Sequence, residues 1–452
     1  MMVLSALTVM TVMLAEFQED TAAELGSALS ERDALRAEFA ARSAINLSRL
    51  LIAAEPTIRR SVALLLMGAK QLPVWAFAPD VLGAFNGDDG KQRFEAIMGL
   101  KVEQGKGLGF DGASFEVDVV DEDAKINVNS PSRGSIFYNE RLASQLMGLL
   151  MPPRYDPLFE QRGSDGNYND RAAICSALID WTDPDQQTWV CGSEGSESQQ
   201  QAAAEDSFYQ LLAKPYFRKN AAFDSLEELH LVRGFGEEFW ATFVDPEPEN
   251  PRKRLLTVWG GDQVNVNTAE PLSLWALICS RHGQPTHPVC TDIEQARMLF
   301  SVFSMIQGLA RGVPLFGSPS AFLDTLKGKG MFGPMLEQFG FPPMEFLAEG
   351  DLKKWLTTES KVFSVYATGI VKSGQRETRV RVHAVVDFRQ APPPGQARRL
   401  DEVAGSLGLS GSDLDGRLGG ADGSSGDASE EEALQALLQP SPGGEIIYYR
   451  IN

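Results

Sequence analysis

The residues best suited to chemistry are four cysteines, two histidines and a few paired acids. Cys279, His282, His287 and Cys290 form a C-x2-H-x4-H-x2-C set. Two thiolates and two imidazoles can hold zinc tetrahedrally, but so short a step between the histidines matches no common zinc finger. The competing chemistry is oxidation. Cys279 with Cys290, and Cys175 with Cys191, would each close a short loop, and in an oxidising compartment these local disulfides are preferred to zinc among the possible pairings. Asp183 and Asp185 sit two apart after a helical run, and Glu205 and Asp206 follow a Gln/Ala-rich stretch. Carboxylates two apart on a bent loop can aim at one centre, as calcium requires of its oxygen ligands. The plainer alternative is capping, with Asp183 before Pro184 and Glu205-Asp206 opening a helix at its positive end. Residues 165–170 mimic the start of an EF-hand, but Asp170 stands where the loop needs Gly and Ser176 where it needs Glu.

Other chemistries find little support. The chain has no G-x-S-x-G elbow, no H-E-x-x-H pair, no phosphate-binding Gly loop and no dinucleotide fingerprint, so nothing proposes an enzyme. His230, between Leu229 and Leu231, reads as a helix-surface or partly buried residue. Asn265 and Asn267 lie in a Val-Asn-Val-Asn-Thr-Ala turn, where Thr268 or Asn267 is expected to cap the following helix. Similar turns occur in helix-hairpin-helix DNA-binding proteins, but here Arg281 is the only base nearby. With a net charge of −20 the chain lacks the clustered Lys and Arg that phosphate binding needs, so nucleic acid is not expected as a partner.

The elements that must carry these residues begin with a rod. Residues 1–15 are apolar and uncharged, and a helical pattern continues to about residue 54. Leu25, Leu29, Leu35, Phe39, Leu47 and Leu50 recur near the helical period with Ala between them. Such a helix is about 80 Å long, greasy all round at its tip and amphipathic beyond it. The apolar run is short of the ~20 residues that span a bilayer, and it lacks the flanks of a cleaved secretory signal. Phe94 to Gly109 is apolar and aromatic. Phe115, Val117 and Val119 alternate with Glu116 and Asp118, the mark of a strand with one wet face. The pattern turns helical from about 140 to 355. Strands return at 362–371 and 378–387 around a turn at Ser373-Gly374, and again at 445–451. Residues 391–444 are rich in Gly, Ser, Pro and acids and read as a flexible loop, with one short helix over 431–438.

Several segments in order resemble the type II secretion protein K family. They are RAEFAARSAIN over 36–46, DAKINVN over 123–129, ALIDWTDPD over 177–185, AEDSFY over 204–209, KPY over 214–216, FDSLEEL over 223–229, VRGF over 232–235, VNVNTA over 264–269 and FSVYATG over 363–369. The resemblance covers nearly the whole chain. It implies an α+β pilin-like fold, a long N-terminal helix on an antiparallel sheet, with a large α-helical, SAM-like domain inserted between strands. The expected divisions are 1–54 for the helix, 55–130 and 359–390 for the pilin domain, 131–358 for the insertion, 391–443 for the loop and 444–452 for the last strand. The resemblance further implies a minor pseudopilin at the tip of the pseudopilus, bound to the minor pseudopilins I and J, inner-membrane lipid and the secretion machinery. Its anchor would cross the inner membrane once, with the head in the periplasm. It also implies calcium in the insertion, where Asp183, Asp185, Glu205 and Asp206 fall in matching segments. A head enlarged by such an insertion should clash with any subunit stacked above it, which suits the end of a filament. Family precursors carry a short basic leader; none is visible here, so Met1 is expected to be a late start or to lie within the mature helix. The alternatives are a minor pilin of a type IV pilus and a membrane-tethered DNA-uptake binder.

Overall fold

The computed structural model describes residues 2–61, 71–86, 92, 112–160, 162, 166, 168–192, 200–201, 207–281, 287–309, 313–392 and 441–451. The apolar stretch 94–109 and the short helix expected over 431–438 lie outside these residues, as does most of the expected loop.

Helix α1 (Met2–Ser61) is a single rod. It is exposed throughout from Met2 to Leu25, and it is long and apolar enough to cross a membrane. It also runs through Pro56, past the expected end near residue 54. A proline there forfeits one backbone hydrogen bond. The last turn is held by its side chains instead: the Glu55 carboxylate accepts the Leu72 N–H at 2.7 Å and pairs with Arg59 at 3.1 Å.

The second half of α1 lies on a four-stranded antiparallel sheet. Its strands are β1 (Ala113–Asp121), β8 (Val362–Ser373), β9 (Arg376–Asp387) and β10 (Glu445–Ile451), in that spatial order, with helix α2 (Ala78–Gly83) preceding β1. The short strands between β1 and β8, among them β3 (Thr188–Trp189) paired with β4 (Gln200–Gln201), lie in the insertion. Ala113 pairs with Val371 and Asp121 with Phe363, while β8 and β9 form the expected hairpin. The alternation predicted for β1 holds: Phe115, Val117 and Val119 are buried and Glu116 is exposed.

The buried stripe of α1 is not the leucine series. Ala37, Ala40, Ala41, Ala44 and Ile45 face the sheet, whereas Leu25, Leu35, Phe39 and Leu50 are more than half exposed. The reason is proximity. A Cβ on Gly369 would lie inside the Ala37 carbonyl, so helix and strand approach too closely for anything larger than alanine between them. Arg49 adds a tie at the far edge by donating to the Gly443 and Gly444 carbonyls, each at 2.8 Å.

The insertion is two lobes built on one plan. Lobe one begins with β2 (Ile126–Asn127), continues through α3 (Ile136–Leu150) and α4 (Arg171–Thr182), and closes with β5 (Leu256–Thr257) parallel to β2. Lobe two begins with β6 (Val264–Asn265), continues through α5 (Pro271–Ser280) and α6 (Ile293–Leu309), and closes with β7 (Leu356–Thr357) parallel to β6. Each starts with an Asn-Val-Asn turn whose first Asn accepts the N–H of the second, Asn127 from Asn129 and Asn265 from Asn267. The second Asn then clasps a distant phenylalanine backbone in both directions. Asn129 does so with Phe223, and Asn267 with Phe316. Each lobe has its own apolar core, in which residues such as Leu142, Leu178 and Phe243, or Leu277, Phe322 and Leu352, are fully buried. Each such side chain contributes about 1.5–3 kcal/mol. The lobes meet where α3 crosses α5, with Gly148 so close to the Ala276 carbonyl that a side chain would not fit. Ile126 and Val128 lie in the core of lobe one.

Candidate functional site

Two polar sites stand out, one inside lobe one and one where the insertion joins the sheet. The first lies at the C-terminal end of α4. Asp170 caps the start of that helix, accepting the Ala173 N–H at 2.6 Å, which explains the residue that spoils the EF-hand pattern. At the other end Asp183 follows the last helical residue and is buried. One of its oxygens, Oδ2, accepts from Asn139 at 3.1 Å. The other, Oδ1, is buried with no hydrogen-bond partner, as are Oδ1 of Asn139 and Oδ1 of Asn220. Asp180, one turn earlier, accepts the Trp189 N–H at 2.7 Å, and Asp185 accepts the Gln187 N–H at 2.7 Å.

The electrostatics of this site are unfavourable as they stand. Burial pushes Asp180 up to about 8, and the charges of Asp183 and Asp185 add to the shift. Burial and Asp185 push Asp183 up to about 7. Arg218, which donates to the Asp180 carbonyl, opposes both shifts without cancelling them. Neither cap nor solvation accounts for Asp183, because it is buried and one of its oxygens is idle. Unpartnered carboxylate and amide oxygens suit a hard cation such as calcium and not a thiophilic metal. Among the described residues no three acidic, His or Cys side chains converge tightly enough to hold an ion unaided. Glu205 and Asp206, the other half of the expected set, lie outside the described residues.

The cysteines pair locally. Cys175 bonds Cys191 and Cys279 bonds Cys290, which consumes both thiols of the alternative zinc set. His282 lies outside the described residues. His287 Nδ1 accepts the Val289 N–H and its Nε2 lies 3.1 Å from the Pro342 carbonyl. His230 is exposed and stacks on Trp240 with ring centroids 4.2 Å apart.

The expected cap on α5 is not there. Glu270 occupies the cap position without a side-chain bond. Asn267 is taken up by Phe316, and Thr268 donates its hydroxyl to Asp121 at 2.5 Å. Asn265 is buried and donates to the Ser360 hydroxyl.

Thr268 leads to the second site, where the alternating strand β1 runs into the DAKINVN segment. Asp121, Glu122 and Asp123 are consecutive and all buried. Asp121 Oδ2 accepts the hydroxyls of Thr268 and Ser360, and its Oδ1 accepts the Asp123 N–H. Asp123 accepts three backbone N–H groups, from Gly261, Lys361 and Val362. Glu122 accepts from Thr257 and from Lys125, the latter at 2.9 Å. Burial acts to raise Glu122, but Lys125, with Ser364 and Thr257, outweighs it and holds the group below the usual carboxylate range. Nearby, burial pushes His383 down to about 4, so it is neutral where it stacks on Tyr366. Three acids running out of an alternating strand into an apolar segment were the available clue, since a buried charge requires dedicated partners.

Comparison with known proteins adds the following. Residues 124–244 match the family described as type II secretion system (T2SS), protein K. No curated protein matches the chain. Among solved structures, the chain is similar to one in the GspK-GspI-GspJ complex of the type 2 secretion system from enterotoxigenic Escherichia coli. The likeness has 15% sequence identity, covers 62% of this chain and 76% of that one, and has a TM-score of 0.36.

Proposed function

We propose that this chain, which belongs to the type II secretion protein K family through residues 124–244, is a minor pseudopilin that ends the pseudopilus and starts or caps its assembly. Its apolar helix would cross the inner membrane, with the sheet and both lobes in the periplasm. The observation that carries this reading is the placement of a two-lobed domain between β1 and β8 of a sheet that lies on the far half of a long, bare helix. Subunits of this kind assemble through the exposed part of the helix. A head widened on one side by two lobes leaves no room for a further subunit above it. Proteins I and J are the expected neighbours, and the two disulfides suit an oxidising compartment. The test is reconstitution of the full chain in detergent with minor pseudopilins I and J, read by mass photometry. A three-component complex is expected, and failure to bind either partner would count against the assignment.

Calcium in lobe one is part of the same reading. Asp183 and Asp185, with Asn139 beside them, would hold it, joined by Glu205 and Asp206 from the following segment. When bound, the ion supplies the positive charge that lets buried carboxylates ionise. The idle oxygens of Asp183 and Asn139 support this assignment. Isothermal titration of chelator-treated protein with calcium should give saturable binding that Asp183→Asn weakens at least tenfold. Equal affinity in the variant would remove Asp183 from the ligand set.

A further inference from the structure

The path of the chain makes the segment 121–123 a crossing point. The strand β1 ends there and the insertion begins, and beside it, where Asp121 pairs with Phe363, the chain returns to the sheet at Val362. Everything that must stay in register at this point is tied to the three acids. Asp123 holds the returning segment at Lys361 and Val362 and the link between the lobes at Gly261. Asp121 holds the first turn of lobe two at Thr268 and the returning segment at Ser360. Glu122 holds the last strand of lobe one at Thr257. Ser360 is in turn clasped by Gln71, which donates to its carbonyl at 2.7 Å and accepts its N–H at 2.6 Å. Sheet, lobe one and lobe two therefore share one small hub.

The hub is asymmetric in what its acids can tolerate. The acceptors of Asp123 face backbone N–H groups, which donate only, so this residue must keep its charge to do its work. The partners of Asp121 on Oδ2 are two hydroxyls, which can donate to a carboxylate or accept from a carboxylic acid. The charge acting most strongly on Asp121 is that of Asp123. Lys125 is engaged by Glu122, while Arg389 acts on Asp123. The ionisable groups on the surrounding segments are Glu55 and Arg59 of α1, paired with each other, and Glu359 and Lys361 beside Ser360. Asp262, on the link between the lobes, is engaged by Arg133 and Arg141.

We propose that Asp121 and Asp123 form a proton-sensitive joint that sets the angle of both lobes on the sheet. With Asp121 protonated the two aspartates together carry one negative charge, and Asp121 can donate to Thr268 while it still accepts from Ser360 and the Asp123 N–H. With both acids charged they repel across a buried hub, and the contact to Thr268 and Ser360 is the one that yields. Burial and the Asp123 charge push Asp121 up to about 7, which puts the change inside a physiological range. Because the shift is upward, the contribution of Asp121 is complete below the ordinary Asp range. It is then lost as pH rises through about 7. The inference does not depend on what the chain assembles with.

The experiment uses the full chain in lipid nanodiscs. Donor and acceptor dyes on non-natural side chains replace Gln375, exposed at the tip of the β8–β9 hairpin, and Met298, exposed on α6 of lobe two. Single-molecule energy transfer is recorded from pH 5.5 to 8.5. The distance distribution is expected to be narrow at the acid end and at least about twofold broader at the alkaline end, with its midpoint near pH 7. Asp121→Asn, whose amide can donate as the protonated acid does, should stay narrow throughout. Asp123→Asn should be broad throughout, because the amide replaces one carboxylate oxygen with a donor and at least one of the three N–H groups is left facing it. Equal widths at both ends in the unaltered chain would overturn the proposal without recourse to any variant. So would an Asp121→Asn protein that still broadens.

Discussion

The two lobes share a frame and differ in what has been added to it. Both open with the Asn-Val-Asn turn, close with a parallel strand pair, clasp a phenylalanine through the second Asn and carry one disulfide. In lobe one the disulfide is deep in the core, with Cys175 and Cys191 both buried, and the end of α4 holds a strained group of carboxylates. In lobe two the disulfide is only partly buried at both cysteines, and no described carboxylate lies in the core. The clasp and the paired strands, common to both, are the shared frame of each lobe. The acids of lobe one serve something else, since a buried, unpaired carboxylate costs stability and is not required by the frame.

This contrast can be broken in several places, and the largest effect is expected at the disulfides. Each closes a short loop and should contribute about 3 kcal/mol, but their accessibility differs. Under mild reductant in native conditions, thiol labelling followed by mass spectrometry should find Cys279 and Cys290 modified first. Cys175 and Cys191 should remain protected until lobe one unfolds, and simultaneous reduction would erase the distinction. Next come the clasps. Asn129→Ala and Asn267→Ala each strand backbone groups and should cost about 2–3 kcal/mol. Hydrogen exchange should place the loss in lobe one for the first and in lobe two for the second. A loss spread over both lobes in either variant would mean that they are not separate units.

A smaller effect separates the acids from the frame. Asp180 and Asp183 both have raised folded-state values, about 8 and about 7. In chelator, therefore, the stability of lobe one should be greatest in acid and fall as pH rises from about 4 to 8. Calcium should flatten that slope, and Asp183→Asn should reduce it. Thermal unfolding with and without calcium at pH 5 and pH 8 reads all three, and a stability that rises with pH in chelator would contradict the assignment. The smallest effect is at the surface. His230→Ala removes the stack on Trp240 and should cost about 1 kcal/mol or less with no change in assembly.

Much of the frame was legible in the sequence. Alternation in β1, the hairpin around Gly374, the rod-like first helix and both disulfide pairings follow from period, turn chemistry and loop length, which are local properties. What escaped was set by distant partners. The leucines of α1 look like the buried stripe, yet the close approach of Gly369 selects the alanines. Thr268 has the place and type of a helix cap, but Asp121, far away in sequence, takes its hydroxyl. The Asn-Val-Asn turns sit in separate segments of the sequence, and their common role, clasping a phenylalanine, depends on partners 94 and 49 residues away. At the proposed calcium site, the spacing of Asp183 and Asp185 points to both of them. It does not point to Asn139 and Asp180, because helix packing and not spacing brings them there.

The most direct test of the central claim is where this protein sits on an assembled filament. Pseudopili assembled with an epitope-bearing copy of the full chain can be labelled with gold and imaged by electron microscopy. The account predicts a single label at one end of each filament. Labels distributed along the shaft would show that the two lobes do not block stacking, and would contradict it.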